Sequence, residues 1–161
     1  ITEQKLKIGM ILSSTDALLN DINNTIITAH IADKLNDKKV FGVYSGKEDT
    51  IITTTEPSPP YPINSNINII TSNTTITTYY VNSLGEGGIL ISNINGEITN
   101  GDYITSSVIS GYGCLQNDDI MHSYTVAKCT QNINWNSISD TIEYQGNLYK
   151  WTLAACTYHC G

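Results

Sequence analysis

Arginine is absent from this 161-residue chain, so its cations are eight lysines and, when protonated, three histidines. Fifteen Asp and Glu outnumber them, giving a formal net charge of -7. Nucleic-acid binding usually needs a cationic footprint that displaces phosphate counterions, none is visible, and no nucleic-acid partner is expected. Charged residues are scarce at 14% while hydrophobic residues reach 40%, a balance too apolar and too weakly charged for a disordered chain. No run approaches the roughly 18 uninterrupted apolar residues of a spanning helix, and no basic-then-apolar leader opens the chain. Neither membrane insertion nor a secretory signal is expected. Internal repeats, heptads and low-complexity tails are also missing. Proline is confined to four positions between Pro57 and Pro62.

What remains is rich in Ile, Thr and Asn, with Tyr supplying most of the aromatics. Ile, Thr and Tyr suit a pleated, half-buried surface, whereas Asn and Gly suit tight turns. A chain of this length buries roughly 68–70% of its unfolded surface, so a disulfide scaffold is not obligatory. The pattern predicts an all-β fold, an antiparallel barrel or sandwich of short strands joined by hairpins, with little helix.

Taken along the chain, Lys5–Leu12 reads as a strand ending in a polar turn at Ser13–Asp16, with a helical turn over 16–22. Thr25–Ala32 and Lys38–Ser45 read as strands. The prolines of Glu56–Pro62 remove backbone donors and fix φ, which excludes a central strand. We expect a single domain over 1–161, with two lobes (1–55 and 66–161) joined by a Pro-rich loop at 56–65 as the finer division. Asn66–Val81 reads as a hairpin turning near Ser72–Thr74, and Gly85–Gly88 as an interruption before Ile89–Ser92. Asn93–Gly96 and Asn100–Asp102 carry Asn-Gly turn signals, with both central residues at positive φ, bracketing a short strand Glu97–Thr99. Tyr103–Ser106 and His122–Cys129 follow as strands, then a hairpin of Thr141–Tyr144 and Leu148–Cys156 around Gln145–Asn147.

Several residues invite chemistry. Gly96, Gly101 and Asp102 form a structural turn motif in which the glycines permit positive φ and the carboxylate accepts backbone N–H bonds. Cys114, Cys129, Cys156 and Cys160 are disulfide candidates, pairable in three ways, or plain buried thiols. Cys156, His159 and Cys160, with Cys114 or Cys129 as a fourth ligand, give an alternative zinc set that lacks paired C-x-x-C knuckles. No cofactor is expected. Ser106 or Ser107 with His122 and an acid (Asp102, Asp118 or Asp119) would satisfy the needs of a nucleophile, a base and an orienting carboxylate, although no nucleophile elbow surrounds either serine. Asp118–Asp119 reads as a solvated turn, and His30 as a hydrogen-bonded core histidine. Asn23 and Asn73 open glycosylation sequons. Tyr79, Tyr80, Tyr103, Tyr112 and Tyr124 form either a sugar-binding face or half-buried strand residues.

The run from Gly85 to Ser107, with Gly111-Tyr-Gly113, Gln116–Asp119, His122–Lys128, the upstream Asp37–Ser45 and the ending Cys156–Gly161, resembles a C-terminal domain of large-DNA-virus and phage-like fibre or surface proteins. That group is related to the intramolecular-chaperone, autoproteolytic peptidase G2-like class. The similarity covers most of the chain and is weakest over 47–78. It implies a β-rich, usually trimeric assembly module that helps fold an upstream shaft, on a virion surface or otherwise outside the cell, with itself as partner. A self-cleaving peptidase is the alternative, for which Ile1, not an initiating residue, would mark the cut end of a longer precursor. A tip domain binding a host-surface glycan or receptor is the third expectation.

Overall fold

The computed structural model describes residues 5–21, 24–47, 51–54 and 73–160. Among these lie twelve strands: β1 (Ile11–Asp21), β2 (Asn24–Ile31), β3 (Val40–Lys47), β4 (Ile51–Thr54), β5 (Asn73–Ile76), β6 (Tyr79–Asn82), β7 (Leu84–Ser92), β8 (Tyr103–Ser106), β9 (Gly113–Leu115), β10 (Thr125–Cys129), β11 (Thr141–Tyr144) and β12 (Asn147–His159). The one helical element among the described residues is a 3₁₀ turn at Trp135–Ser137. The fold is all-β and overwhelmingly antiparallel, as the composition predicts. One compact unit comprises Ile1–Ser45 with Val81–Gly161, and a second comprises Gly46–Tyr80. The Pro-rich stretch 56–65 lies outside the described residues.

In the larger unit, a sheet of order β10-β8-β9-β7-β12-β11 also pairs β10 with β12, so β10, β8, β9, β7 and β12 form a ring. The joint between β7 and β9 is a single parallel bridge, Ile91 opposite Gly113. A second sheet has the order β2-β1-β3-β6. Strand β12 is the shared element: it pairs with β7 from Trp151 to His159, with β10 from Cys156 to Tyr158, and with β11 from Asn147 to Lys150.

Alternation along β12 divides the core. Ala154, Cys156, Tyr158 and Cys160 point to one side and join Ile89, Ile91, Ile104, Ala127 and Cys129 in a continuous buried cluster. The opposite side, at the Trp151 end, meets a second cluster of Met10, Leu90, Ile109 and Tyr112. There Tyr112 lies edge-on to Trp151 at 5.7 Å between ring centroids, and the Lys7 ammonium sits 5.3 Å from the Trp151 ring.

In the smaller unit, β4 and β5 form an antiparallel ladder with Ile51 opposite Ile76 and Thr54 opposite Asn73. Asn73 and Thr74 therefore belong to a strand rather than to the expected turn.

Several local expectations change. Lys5–Met10 is irregular, and the strand starts at Ile11 and runs to Asp21, replacing both the polar turn at 13–16 and the helical turn at 16–22. The turn-like composition marks a bulge instead, since the β1–β2 register shifts between Ser14 and Leu18. Gly85–Gly88 does not interrupt β7, because β12 pairs with it throughout. Glu97–Thr99 is not a strand, and the Ile98 carbonyl accepts the Trp135 indole N–H at 2.9 Å. At Thr99–Asp102, the Asp102 N–H donates to the Thr99 carbonyl at 3.1 Å. Only Gly101 takes a positive φ there, +98°, not Asn100, which is the pattern of a type II turn rather than type I′. Likewise at Asn93–Gly96 only the glycine, at φ +120°, is left-handed. His30 is exposed on β2 rather than buried in the core.

Candidate functional site

The most organised polar cluster lies in the loop between β9 and β10. Gln116, buried at its base, donates from Nε2 to the Asp118 carbonyl, the Asp118 carboxylate and the Ile120 carbonyl, the last at 2.7 Å. Its Oε1 accepts the Thr125 hydroxyl at 2.6 Å, and that hydroxyl accepts the His122 N–H at 2.9 Å. The loop folds this way because one amide supplies the partners that its carbonyls would otherwise lack. The result holds the Asp118 carboxylate 2.9 Å from His122 Nε2, while the His122 ring stacks on Tyr124 with centroids 4.6 Å apart. The bond to His122, joined by those to the Ile120 N–H and Gln116, holds the Asp118 carboxyl below the usual range against the opposing effect of desolvation. Asp119, beside it, is exposed, as are Ile120 and Met121 at the loop tip.

Hydrolytic chemistry would need a nucleophile on this His–Asp pair. Ser106 is fully buried, and its hydroxyl oxygen accepts the Asp37 N–H at 2.8 Å while its carbonyl accepts the Asn36 N–H. Ser107 donates to the Tyr112 carbonyl at 2.6 Å. Both serines are tied to backbone rather than to an imidazole. Asp102 precedes the first residue of β8 and Ser106 ends that strand, about 13 Å apart at the rise of an extended chain. Asp102 instead accepts the Thr99 N–H at 2.8 Å and the Thr99 hydroxyl at 3.0 Å, a turn-capping carboxylate. The three residues Ser106, His122 and Asp102 are thus not brought together.

All four cysteines are buried thiols. Burial pushes Cys114, Cys156 and Cys160 up to about 12. Cys156 and Cys160 face the interior, whereas His159, of opposite strand parity, lies edge-on to Tyr103 at 6.2 Å. The alternation of a strand separates the expected ligands, and among the described residues no three His, Cys, Asp or Glu are grouped so as to hold a metal. Tyr112 is buried, Tyr103 and Tyr124 are half-buried, and Tyr79 and Tyr80 are exposed. Tyr112 therefore cannot join a sugar-binding face. Asn23 lies outside the described residues.

Sequence reasoning missed the outer face of the ring. There Leu153, Ala155, Thr157 and His159 of β12 lie beside Leu90, Gly88, Glu86 and Leu84 of β7. Lys128 of β10 stands opposite Thr157 and Tyr103, with its ammonium 5.7 Å from the Tyr103 ring. Leu84 is 73% exposed and Leu153 50%. Between them Gly87, Ala155, Thr130 and Glu86 line a shallow groove. No protein-family model matches the chain, and no curated protein or solved structure is significantly similar to it.

Proposed function

We propose that this domain is a structural and assembly module, placed at the C-terminal part of a fibre or surface protein of viral type, that associates with copies of itself and so promotes trimerisation and folding of the chain upstream. The observation that carries this reading is the outer face of the ring, where Leu84 and Leu153 stand exposed around Gly88 and Ala155. The small residues between the two leucines, Gly88 and Ala155, let a second chain approach this surface closely. Its charge also suits self-association. The chain carries -7, and three copies would repel each other over most of their surface, but on this face Glu86 and Lys128 offset one another. Three chains held together would lower the entropic cost of registering a shaft.

The autoproteolytic alternative draws no support from the placement of Ser106 and Ser107. A receptor-binding tip remains the second reading, favoured by the exposed Ile120 and Met121 beside the stacked His122 and Tyr124.

Native mass spectrometry and light scattering over a graded concentration series test the first reading. The expected result is a trimer that the double variant Leu84→Glu, Leu153→Ser converts to monomer with an unchanged circular dichroism spectrum. A concentration-independent monomer for the natural sequence would overturn it.

A further inference from the structure

We propose that Cys129 and Cys156 are built to form a cross-strand disulfide that fastens β10 to β12, the seam that closes the ring, while Cys114 and Cys160 stay as thiols. The two residues are direct partners in the β10–β12 ladder. The Thr130 N–H donates to the Ala155 carbonyl at 3.0 Å, which brackets Cys129 and Cys156 as a non-hydrogen-bonded pair. In such a pair the Cα atoms lie about 4.5 Å apart and the side chains lean together, inside the roughly 4.4–6.8 Å window that a disulfide spans. Both side chains point into the same cluster, at 1% and 2% exposure.

The pairing of Cys156 with Cys160 and those of Cys114 with either strand of the seam fail on geometry, and Cys160 meets β10 at Val126, three residues along the strand from Cys129. Cys156 lies in β12 and Cys160 just past its end, where the Cys160 N–H still donates to the Ser83 carbonyl, so the two are about 13 Å apart at ordinary rise, which exceeds the reach of a disulfide. Cys160 instead donates its thiol to the Val126 carbonyl at 3.4 Å. Cys114 is on β9, separated from β10 by β8, so its backbone is about two strand spacings away. Its thiol points at the Ser106 carbonyl at 3.7 Å.

The chemistry is exchange with a small-molecule disulfide such as oxidised glutathione. The thiolate of one cysteine attacks a glutathione sulfur, the S–S bond breaks, and one glutathione thiolate leaves. The second cysteine, deprotonated in turn, attacks the protein sulfur of the mixed disulfide and expels the second glutathione. The two protons lost by the cysteines end on the two glutathione thiols, so the protein is oxidised by two electrons and the glutathione disulfide reduced by two. Cys129 must release its bond to the Gln131 carbonyl, at 3.3 Å. Since both sulfurs are shut away in the closed ring, exchange belongs to folding, before β12 docks.

Refolding the denatured, reduced full chain into a mixture of oxidised and reduced glutathione tests this. Digestion with trypsin and chymotrypsin, which cut after Lys128, Lys150 and Tyr158, separates Cys129, Cys156 and Cys160 for mapping without reductant. The expected map holds one linkage, Cys129 to Cys156, with Cys114 and Cys160 alkylated only after denaturation. Dithiothreitol should then lower the melting temperature by about 5–10 °C. The Cys114→Ser, Cys160→Ser variant should keep the linkage. Chain secreted into an oxidising periplasm, which needs no refolding, should give the same map. A linkage through Cys114 or Cys160, or four free thiols in natively folded chain from both preparations, would overturn the proposal.

Discussion

The Tyr158 hydroxyl occupies the space that a side chain on Gly87 would need: a Cβ built on Gly87 would lie 2.3 Å from that oxygen. From there the hydroxyl donates to the Gly88 carbonyl at 2.6 Å. The tyrosine ring, diagonally across the β7–β12 ladder, supplies the packing that the glycine lacks, and this is why a glycine-rich stretch persists as a strand. Gly87→Ala is expected to cost about 1–3 kcal/mol through overpacking, and Tyr158→Phe about 1 kcal/mol through the lost hydrogen bond. Urea denaturation of each variant measures both. A Gly87→Ala protein as stable as the parent would show that Tyr158 does not hold this position.

Gly101 presents the opposite case. Its φ is +98° and nothing lies within 4 Å of where a Cβ would be, so only backbone conformation opposes a side chain. Gly101→Ala should destabilise by about 1 kcal/mol, and Gly101→Asn by less, because asparagine tolerates the left-handed region. Equal losses for the two variants would point to a steric cause instead.

Ser106 is predicted to be a structural residue. Replacing it with Ala removes the acceptor for the Asp37 N–H and should cost about 1–2 kcal/mol of stability. In a longer precursor that cleaves itself, the same variant should leave cleavage intact once folded. Loss of cleavage with undiminished thermal stability would restore Ser106 as a nucleophile.

Acid should weaken the attachment of the Asp37 loop. Partial burial raises the Asp37 carboxyl, but the Ser13 hydroxyl, the Lys39 N–H and the Lys34 charge outweigh it, leaving it below its ordinary value of 3.8. A depressed carboxyl binds protons more readily in the unfolded chain, so its stabilisation is present above pH 3.8 and is lost as pH falls through the folded value. Asp37→Asn should therefore be less stable than the parent at pH 6 and converge with it in strong acid. Parallel stability curves across that range would contradict the assignment.

Gln116 should matter more than Asp118 to the loop between β9 and β10. Gln116→Ala strands the Ile120 carbonyl and the Thr125 hydroxyl, at a cost of about 1–3 kcal/mol. Exposed Asp118→Asn should change stability far less than Gln116→Ala does. Hydrogen exchange at the His122 and Ile120 amides would distinguish a loosened loop from global destabilisation.

The strand content was legible because Ile and Thr repeat with period two and because Gln145–Asn147, where Gln145 and Gly146 both take positive φ, is a compact hairpin turn. The boundaries that misled share one cause: small or polar residues inside strands imitate turns. Ser13–Asp16 marks a bulge, and Gly85–Gly88 is completed by a tyrosine seventy positions away. No local pattern carries that information. His30 was misread for a related reason, since its exposure on the edge strand β2 depends on the sheet order, and the role of Ser106 likewise rests on a tertiary partner, the Asp37 N–H. The outer face of the ring needs the β7–β12 register before Leu84 and Leu153 can be seen as neighbours of one surface.

The length of β12 has a consequence for biosynthesis. Strands β7, β10 and β11 all precede the partner that completes them, so during translation each waits with bare backbone donors and acceptors until the ribosome has passed His159. Through that interval the nascent chain offers ready templates for cross-pairing with neighbouring polypeptides. Crowding of identical chains on a polysome would therefore be the setting in which this fold is most vulnerable to misassembly.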